Sequence, residues 1–512
     1  MVDERLPTAG RLHLIEHLAL HGRESIRTPV NGQVSLLHTA FAVAGEPDEV
    51  TRSLADVCTW LTDPDWGAID HERRVLQAES ARRSAGPTES QLFWRYGAQG
   101  PGLVGYEQFG LGQAGPESLA EWLRTMFVRG NAGLALTGPP PAGLRLLLPD
   151  GPRVAVPAAV PCEQHTPAAF PDRLDGVALS GVVRRSTEAT VLAGALQREL
   201  HAHFRTGSGV GYSAWQGYEP VDAAQAVLLA GIDLLPEAVP TATDEAVRVL
   251  RRLMTDGVAE ADLRDQIAQQ IAELQDDPAG RWQPAGAIRE LLAGRPVTDR
   301  DQMIEELRRV TPAGVRDVAK DVFASLLISA DPAIELEAPL SWLRMPTVWE
   351  PAGGDRFRSV RRTKQQLRVT GHGVYRGGEA IGVEARFDDL AAMVVYPDGG
   401  RALVRRDGYQ LVVEPEFWRR GRKAIELIDA AAPDAVRVAV PARDEAGIPR
   451  PGAGRRRRAW HWSTRRTLFL LPVLAAASFA GGIAAGADSA FFPLVQLGTV
   501  LSVAWLYLYR FR

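Results

Sequence analysis

Three histidines fall within the first 21 residues, and two of them frame the run His13-Leu14-Ile15-Glu16-His17. On a helix, residues four apart share a face, so the imidazoles of His13 and His17 can reach a single metal ion. Glu16, the neighbour of His17, projects near the same edge and can take a proton from a metal-bound water. Zinc held there would lower the pKa of its water towards about 7 and provide a hydroxide nucleophile near neutral pH.

Such a centre needs a third protein ligand and an open coordination position. The segment 70–79 reads as a second helix, with Glu72 and Glu79 seven residues apart. Seven residues are about two turns, so the two carboxylates share a face. One of them can bind the ion while the other steadies the site electrostatically. The order His-x-x-Glu-His is the inverted zinc-protease pattern. Its alternative is a surface helix carrying two exposed histidines.

The elements that must position these groups are α+β. Residues 1–150 and 155–335 form two regions of similar size, divided by Pro/Gly-rich stretches at 138–141 and 150–152. Helical periodicity is expected over 188–204, 243–255 and 260–275, and β-rich runs over 33–43 and 224–232. The character changes over 355–435, where short β-like runs (366–369, 380–383, 391–396, 401–404 and 410–413) alternate with Gly and Asp turns, and one helix over 415–431 closes the series. This small β-rich domain resembles a pleckstrin-homology-like barrel. Residues 436–466, rich in Pro, Ala, Gly and Arg at first and then in Arg, read as a basic linker.

The first two regions resemble the pitrilysin/insulinase (M16) family of zinc peptidases over about residues 9–335. The resemblance rests on the His13–His17 pattern, the Glu72/Glu79 pair, an Asn-containing strand over 31–39, and the runs 96–97, 105, 119–127 and 130–134, which look like the family's strand-helix-strand closing section. In the second region Arg205 and Tyr212 stand at the two ends of the Gly-rich stretch RTGSGVGY. The resemblance implies that His13, His17 and Glu79 bind one zinc ion per chain and that Glu16 is the general base. Glu72 is then an accessory carboxylate, Arg205 and Tyr212 contact substrate from the companion region, and Asn31 lies on an edge strand that takes an extended peptide as an added strand. Asn31-Gly32 is equally a hairpin-turn signal. His21 is read as lying just past the helix end, because a third imidazole beside Glu79 would close the open position. His38 and His71 are read as ordinary polar positions. Only 12 residues precede His13, where the family has strands, so either the first domain is a shortened version or the natural start lies upstream of Met1.

Residues 467–487 are an uncharged run of 21, and 491–509 are a second run of 19, separated by a short polar turn. Each is long enough to cross about 30 Å of hydrocarbon as a helix. Six arginines within 455–466, with Arg510 and Arg512 at the other end, place both flanks of the hairpin on the cytoplasmic side. A multi-pass membrane protein with its catalytic body on the cytoplasmic side is expected. A net charge of −4 offers no whole-chain case for nucleic acid, and two cysteines at 58 and 162 are too few for a disulfide scaffold.

These readings lead to a membrane-anchored zinc endopeptidase whose partners are a peptide or unfolded-protein substrate and either a second copy or a related subunit. The alternative is a catalytically inactive, peptidase-like scaffold that holds a peptide or partner at the membrane.

Overall fold

Helix α1 (Arg11–Leu20) starts without a side-chain cap of its own, because its N-cap is Gly10 in the left-handed region at φ 93°. The cap is supplied from a distance: Glu4, itself buried, accepts the Leu12 N–H at 3.0 Å. A Cβ at Gly10 would press on Gln108, so the helix start and the loop carrying Gln108 fit together only around glycine. The inward face of α1 places Leu14, Ile15 and Leu18 in a core with Val57, Trp60 and Leu76.

The computed structural model describes residues 1–451 apart from 24–27, 83–85, 163–164, 173, 277–282, 362–363 and 379–380. After α1 come a hairpin, β1 (Val30–Val34) and β2 (Thr39–Val43), and four helices, α2 (Pro47–Thr62), α3 (Ile69–Arg82), α4 (Pro87–Tyr96) and α5 (Pro116–Met126). The expected single β run over 33–43 is this hairpin, turned at Ser35–His38 by the hydrogen bond from Ser35 N–H to His38 O at 2.9 Å. Asn31 and Gly32 lie inside β1, paired with Ala42 and Phe41, and do not form the turn. The expected strand over 130–134 is absent among the described residues. Asn131 there donates to Met126 O at 2.9 Å and accepts the Val154 N–H at 3.0 Å, which ties the chain to the 150–154 segment through side chain rather than ladder.

The second region contributes β3 (Ala168–Pro171), β4 (Gly176–Arg184), α6 (Thr187–His201), β5 (Gly211–Pro220), β6 (Gln225–Leu234), α7 (Val239–Thr255), α8 (Glu260–Gln275), α9 (Gln283–Leu292), α10 (Arg300–Arg309), α11 (Pro312–Ala324), β7 (Leu327–Ala330) and β8 (Ser341–Trp342). Its strands form one mixed sheet in the order β5-β6-β4-β7-β3-β8. The strands β4 and β6 are near-continuous apolar runs, as expected of strands covered on both faces. Helix α6 is capped by Ser186, whose Oγ accepts the Ala189 N–H at 3.2 Å, and buries Leu192, Leu196 and Leu200 against the sheet.

The β-rich region holds β9 (Val348–Trp349), β10 (Asp355–Arg358), β11 (Gln366–Val369), β12 (Gly373–Gly377), β13 (Ile381–Arg386), β14 (Leu390–Val395), β15 (Arg401–Arg405), β16 (Gln410–Val413), α12 (Gly421–Ala431) and β17 (Arg437–Ala439). They form a five-stranded sheet, β10-β11-β12-β13-β9, and a four-stranded sheet, β16-β15-β14-β17. The expected continuous helix over 415–431 is broken: a single 3-10 turn at Pro415–Phe417 is followed by Arg420 at φ 61°, and α12 begins only afterwards. A left-handed residue cannot continue a right-handed helix. The stretch read as linker from 436 begins with β17, which pairs in parallel with β14. Leu6, Ala98 and Leu103 of the first region pack on Ala392, Val394, Ala402 and Val404, so the four-stranded sheet roofs part of the N-terminal half.

The chain divides into two units, Met1–Asp444, which contains all of the above, and Glu445–Arg512, whose described part, residues 445–451, begins with a short turn at Glu445–Gly447. Among the described residues no helix is long and apolar enough to cross a membrane. The expected hairpin over 467–512 lies outside the described residues, as do all six arginines of 455–466.

Candidate metal centre

The ten residues of α1 bring His13 and His17 to one face, with ring centroids 4.9 Å apart and planes at 82°. Helix α3 packs on α1 through Leu76, which is fully buried between Glu72 and Glu79. Arg73 pins α3 to the loop beyond α4, donating to Leu111 O at 2.9 Å and to Ala114 O at 2.8 Å. One donor atom from each of His13, His17 and Glu79 lies within 4.8 Å of the others. His17 Nε2 is 3.9 Å from Glu79 Oε1. Two imidazoles and one carboxylate are the donor types that zinc takes, so the residues present fit the ion that the pattern implies.

The ring orientations favour ligation through Nε2. His17 Nδ1 is 3.0 Å from Glu72 Oε2, and a proton donated along that line leaves Nε2 with its lone pair. His13 Nδ1 lies 2.9 Å from Gln108 Nε2 and 3.3 Å from Gln108 Oε1; with the amide turned so that its oxygen faces the ring, that oxygen accepts from Nδ1 and the same tautomer follows. Gln108 is a member of the site that the sequence reading missed. It lies 95 positions from His13, and no local pattern marks it.

Glu16 is 5% exposed. Its Oε2 lies 3.9 Å from His13 Nε2 and 3.8 Å from His17 Nε2, so it faces the point on which the donors converge. Burial is the main cause holding its carboxyl above the ordinary glutamate value; His17 opposes that shift, while the charges of Glu79 and Glu72 add to it. β1 crosses directly above: a Cβ at Gly32 would overlap the Glu16 carboxylate. All five residues of β1 line the cleft of ≈ 860 Å³ that contains His13, Glu16, His17 and Glu79. β1 pairs with β2 on one side, and among the described residues no strand pairs with its other side.

Glu72 is buried and lies outside the His13, His17 and Glu79 donor group. It serves His17 through one oxygen and His21 through the other, with His21 Nδ1 at 2.5 Å from Oε1. His21 is the C-cap of α1, as its position past the helix end requires. His71, read as an ordinary polar position, instead stands with Nε2 3.9 Å from Glu72 Oε1 and its ring against that of His21. His38 is bound to Ser35 Oγ at 2.8 Å in the hairpin turn.

Arg205 and Tyr212 are brought together but not into this cleft. Arg205 lies in the π-helical turn Ala202–Gly207 and Tyr212 at the start of β5. The guanidinium donates to Tyr212 O at 2.9 Å and sits 5.8 Å from the centre of its ring. Tyr212 is 77% exposed, and neither residue is among those lining the cleft.

No protein-family model matches the sequence, and no curated protein matches it. Among solved structures the chain is similar to a peptidase M16 inactive domain from Pseudomonas fluorescens, at 12% identity and a TM-score of 0.50, covering 64% of this chain and 90% of that one. A protease from Helicobacter pylori matches at 14% identity and a TM-score of 0.51, covering 64% and 91%. A chain of complex III2 from Candida albicans, with Inz-5 bound, matches at 13% and 0.51, covering 64% and 87%. The fold is M16-like. The same fold serves a chain described as inactive and one described as a protease, so activity is decided by the residues of the site and not by the architecture.

Proposed function

We propose that the chain is a zinc-dependent endopeptidase that hydrolyses peptides or unfolded segments held in extended form beside β1. The observation that carries this reading is the convergence of His13, His17 and Glu79 donor atoms within 4.8 Å, with the Glu16 carboxylate 3.8–3.9 Å from both Nε2 atoms. When bound, zinc supplies Lewis-acid polarisation and a lowered pKa for water. The chain's own residues do the rest. Glu72 and Gln108 fix the two rings through Nδ1, Glu16 accepts the proton of the attacking water at its carboxylate and returns it to the leaving amine, and the unpaired side of β1, including Asn31, offers main-chain hydrogen bonds to a substrate strand.

Arg205 and Tyr212 would act as substrate contacts reaching the same peptide from the second region. The two apolar runs over 467–509 and their arginine flanks support a membrane anchor with the body on the cytoplasmic side. A second copy or a related subunit would complete the enclosure around the peptide.

The exclusion of Arg205 and Tyr212 from the cleft lining favours a second reading, a peptidase-like scaffold that holds a peptide without cutting it. One experiment separates the two. Full-length protein is assayed for zinc and for hydrolysis of a quenched unstructured peptide, beside Glu16→Gln. The endopeptidase reading expects about one tightly bound zinc per chain in both and hydrolysis only in the wild type. Zinc without hydrolysis in either protein leaves the scaffold.

A further inference from the structure

Glu72 is where two sets of donors meet. Oε2 is engaged by His17 Nδ1 at 3.0 Å, while Oε1 faces His21 Nδ1 at 2.5 Å and His71 Nε2 at 3.9 Å. The rings of His21 and His71 stand edge to face with centroids 5.4 Å apart. One donor atom from each of His21, His71 and Glu72 lies within 4.8 Å of the others. All three residues line the same cleft as the first donor set.

We propose that His21, His71 and Glu72 form a second site, for a late first-row divalent cation such as zinc, on the solvent side of the first and coupled to it through the shared carboxylate. The donor chemistry selects the class of ion: two imidazoles and one carboxylate suit zinc, nickel or copper and not magnesium or calcium, which take oxygen. The short hydrogen bond between His21 and Glu72 marks where a cation would replace a proton. Glu72 is a buried, fixed anchor, whereas the His21 and His71 side chains are 44% and 60% exposed and can turn onto an ion. Two of its three donors are exposed, against one of three in the first set, so this ion is held more weakly than the first.

The coupling rests on the reading that His17 is a ligand of the inner ion; the outer site itself does not. An ion on Oε1 draws charge from the carboxylate that orients His17 through Oε2. Each ion therefore weakens the other, and by the same factor in both directions. Since partners one step behind a ligand commonly tune affinity by about 10–100-fold, an effect of roughly 10-fold is expected.

The test is a zinc titration of metal-stripped full-length protein against a chromophoric chelator, repeated with cobalt, whose visible absorption reports each ligand set. Two ions per chain are expected, the second weaker. His71→Gln and, independently, His21→Gln should lower the affinity for the second ion by roughly 100-fold or more, a full ligand mattering at least as much as an orienting partner, and should leave the first ion in place. Glu79→Gln should do the reverse. A single ion that is kept in His71→Gln and lost in Glu79→Gln overturns the second site and leaves the endopeptidase reading intact. A second ion that survives both histidine variants overturns it equally. One ion lost in His71→Gln but kept in Glu79→Gln supports this site and removes the inner one. No bound ion overturns both.

Discussion

Replacing Gly32 with alanine tests whether Glu16 is held where a base must be. Gly32 pairs with Phe41 inside β1, and its φ is not left-handed, so the backbone accepts alanine without strain. The side chain is the difficulty. The added Cβ would overlap the Glu16 carboxylate and lie 2.7 Å from Glu16 Cγ. The position of Cγ is set by the first side-chain torsion, so turning the outer bonds does not relieve the clash. Either Glu16 leaves its rotamer or β1 lifts away from α1.

Overpacking of this kind costs about 1–3 kcal/mol of stability. A displaced general base forfeits roughly 10²–10⁴-fold in rate, and at the lower end kcat/KM falls about 100-fold, or about 2.7 kcal/mol of transition-state stabilisation. Hydrolysis of a quenched peptide, zinc content and a denaturant titration measured on the same preparation separate the two outcomes. Displacement of Glu16 lowers kcat, whereas displacement of the strand raises KM. Zinc content should not change, because the three atoms nearest the added methyl all belong to Glu16 and to none of the three donors. Wild-type kcat/KM in Gly32→Ala would refute the placement of Glu16 as the base; loss of zinc together with activity would refute its separation from the metal donors.

Three further predictions concern stability. His38 is held below the ordinary histidine value, by burial first and then by Arg289 and the N-terminal ammonium. The unfolded chain thus binds the proton more readily, so stability is fully present above pH 6.5 and is lost as pH falls through the lowered folded value. Denaturant midpoints between pH 7.5 and 5.5 should drop less steeply in His38→Gln than in the wild type, and equal slopes would exclude His38. Arg443 pairs with Asp398 at 2.6 Å and with Glu414 at 2.6 Å, and lies 4.0 Å from the centre of the Tyr396 ring. Glu414 is buried, so Arg443→Ala strands its charge and should cost about 3 kcal/mol in a denaturant titration. Arg450→Ala, which breaks an exposed pair with Glu445, should cost less than about 1 kcal/mol.

What the sequence revealed of the site was local in character. His13, Glu16 and His17 lie within one helical turn or so, and Glu72 and Glu79 within two, so 3.6-residue periodicity alone puts each set on a face. Helix α8 and strands β11 and β16 were legible for the same reason, their apolar period being carried by their own residues. The M16-like fold was reached from residue pattern and is seen in the architecture. The misses are long-range. Gln108 meets His13 across 95 positions, and His21 meets Glu72 across 51. His71 adjoins a residue already singled out, which was a usable signal. The break before α12 came from one left-handed residue, Arg420, of a type that seldom takes that conformation. β17 is three residues long and pairs with a strand some forty positions earlier, which no local run of apolar residues announces.

The geometry of the donors is therefore a property of packing and not of helix propensity. A ten-residue helix is too short to persist alone in water, and α1 exists because Leu14, Ile15 and Leu18 are buried and Glu4 caps its first turn. The same interactions fix both rings, since each imidazole is also held at Nδ1, by Gln108 and by Glu72. Glu79 is held differently. Its side chain is 48% exposed, and its place is set by the buried Leu76 one turn earlier on α3. On the proposed reading, two donors would be organised before an ion arrives and the third would close from the solvent side. That order would let an ion enter by the cleft that β1 lines.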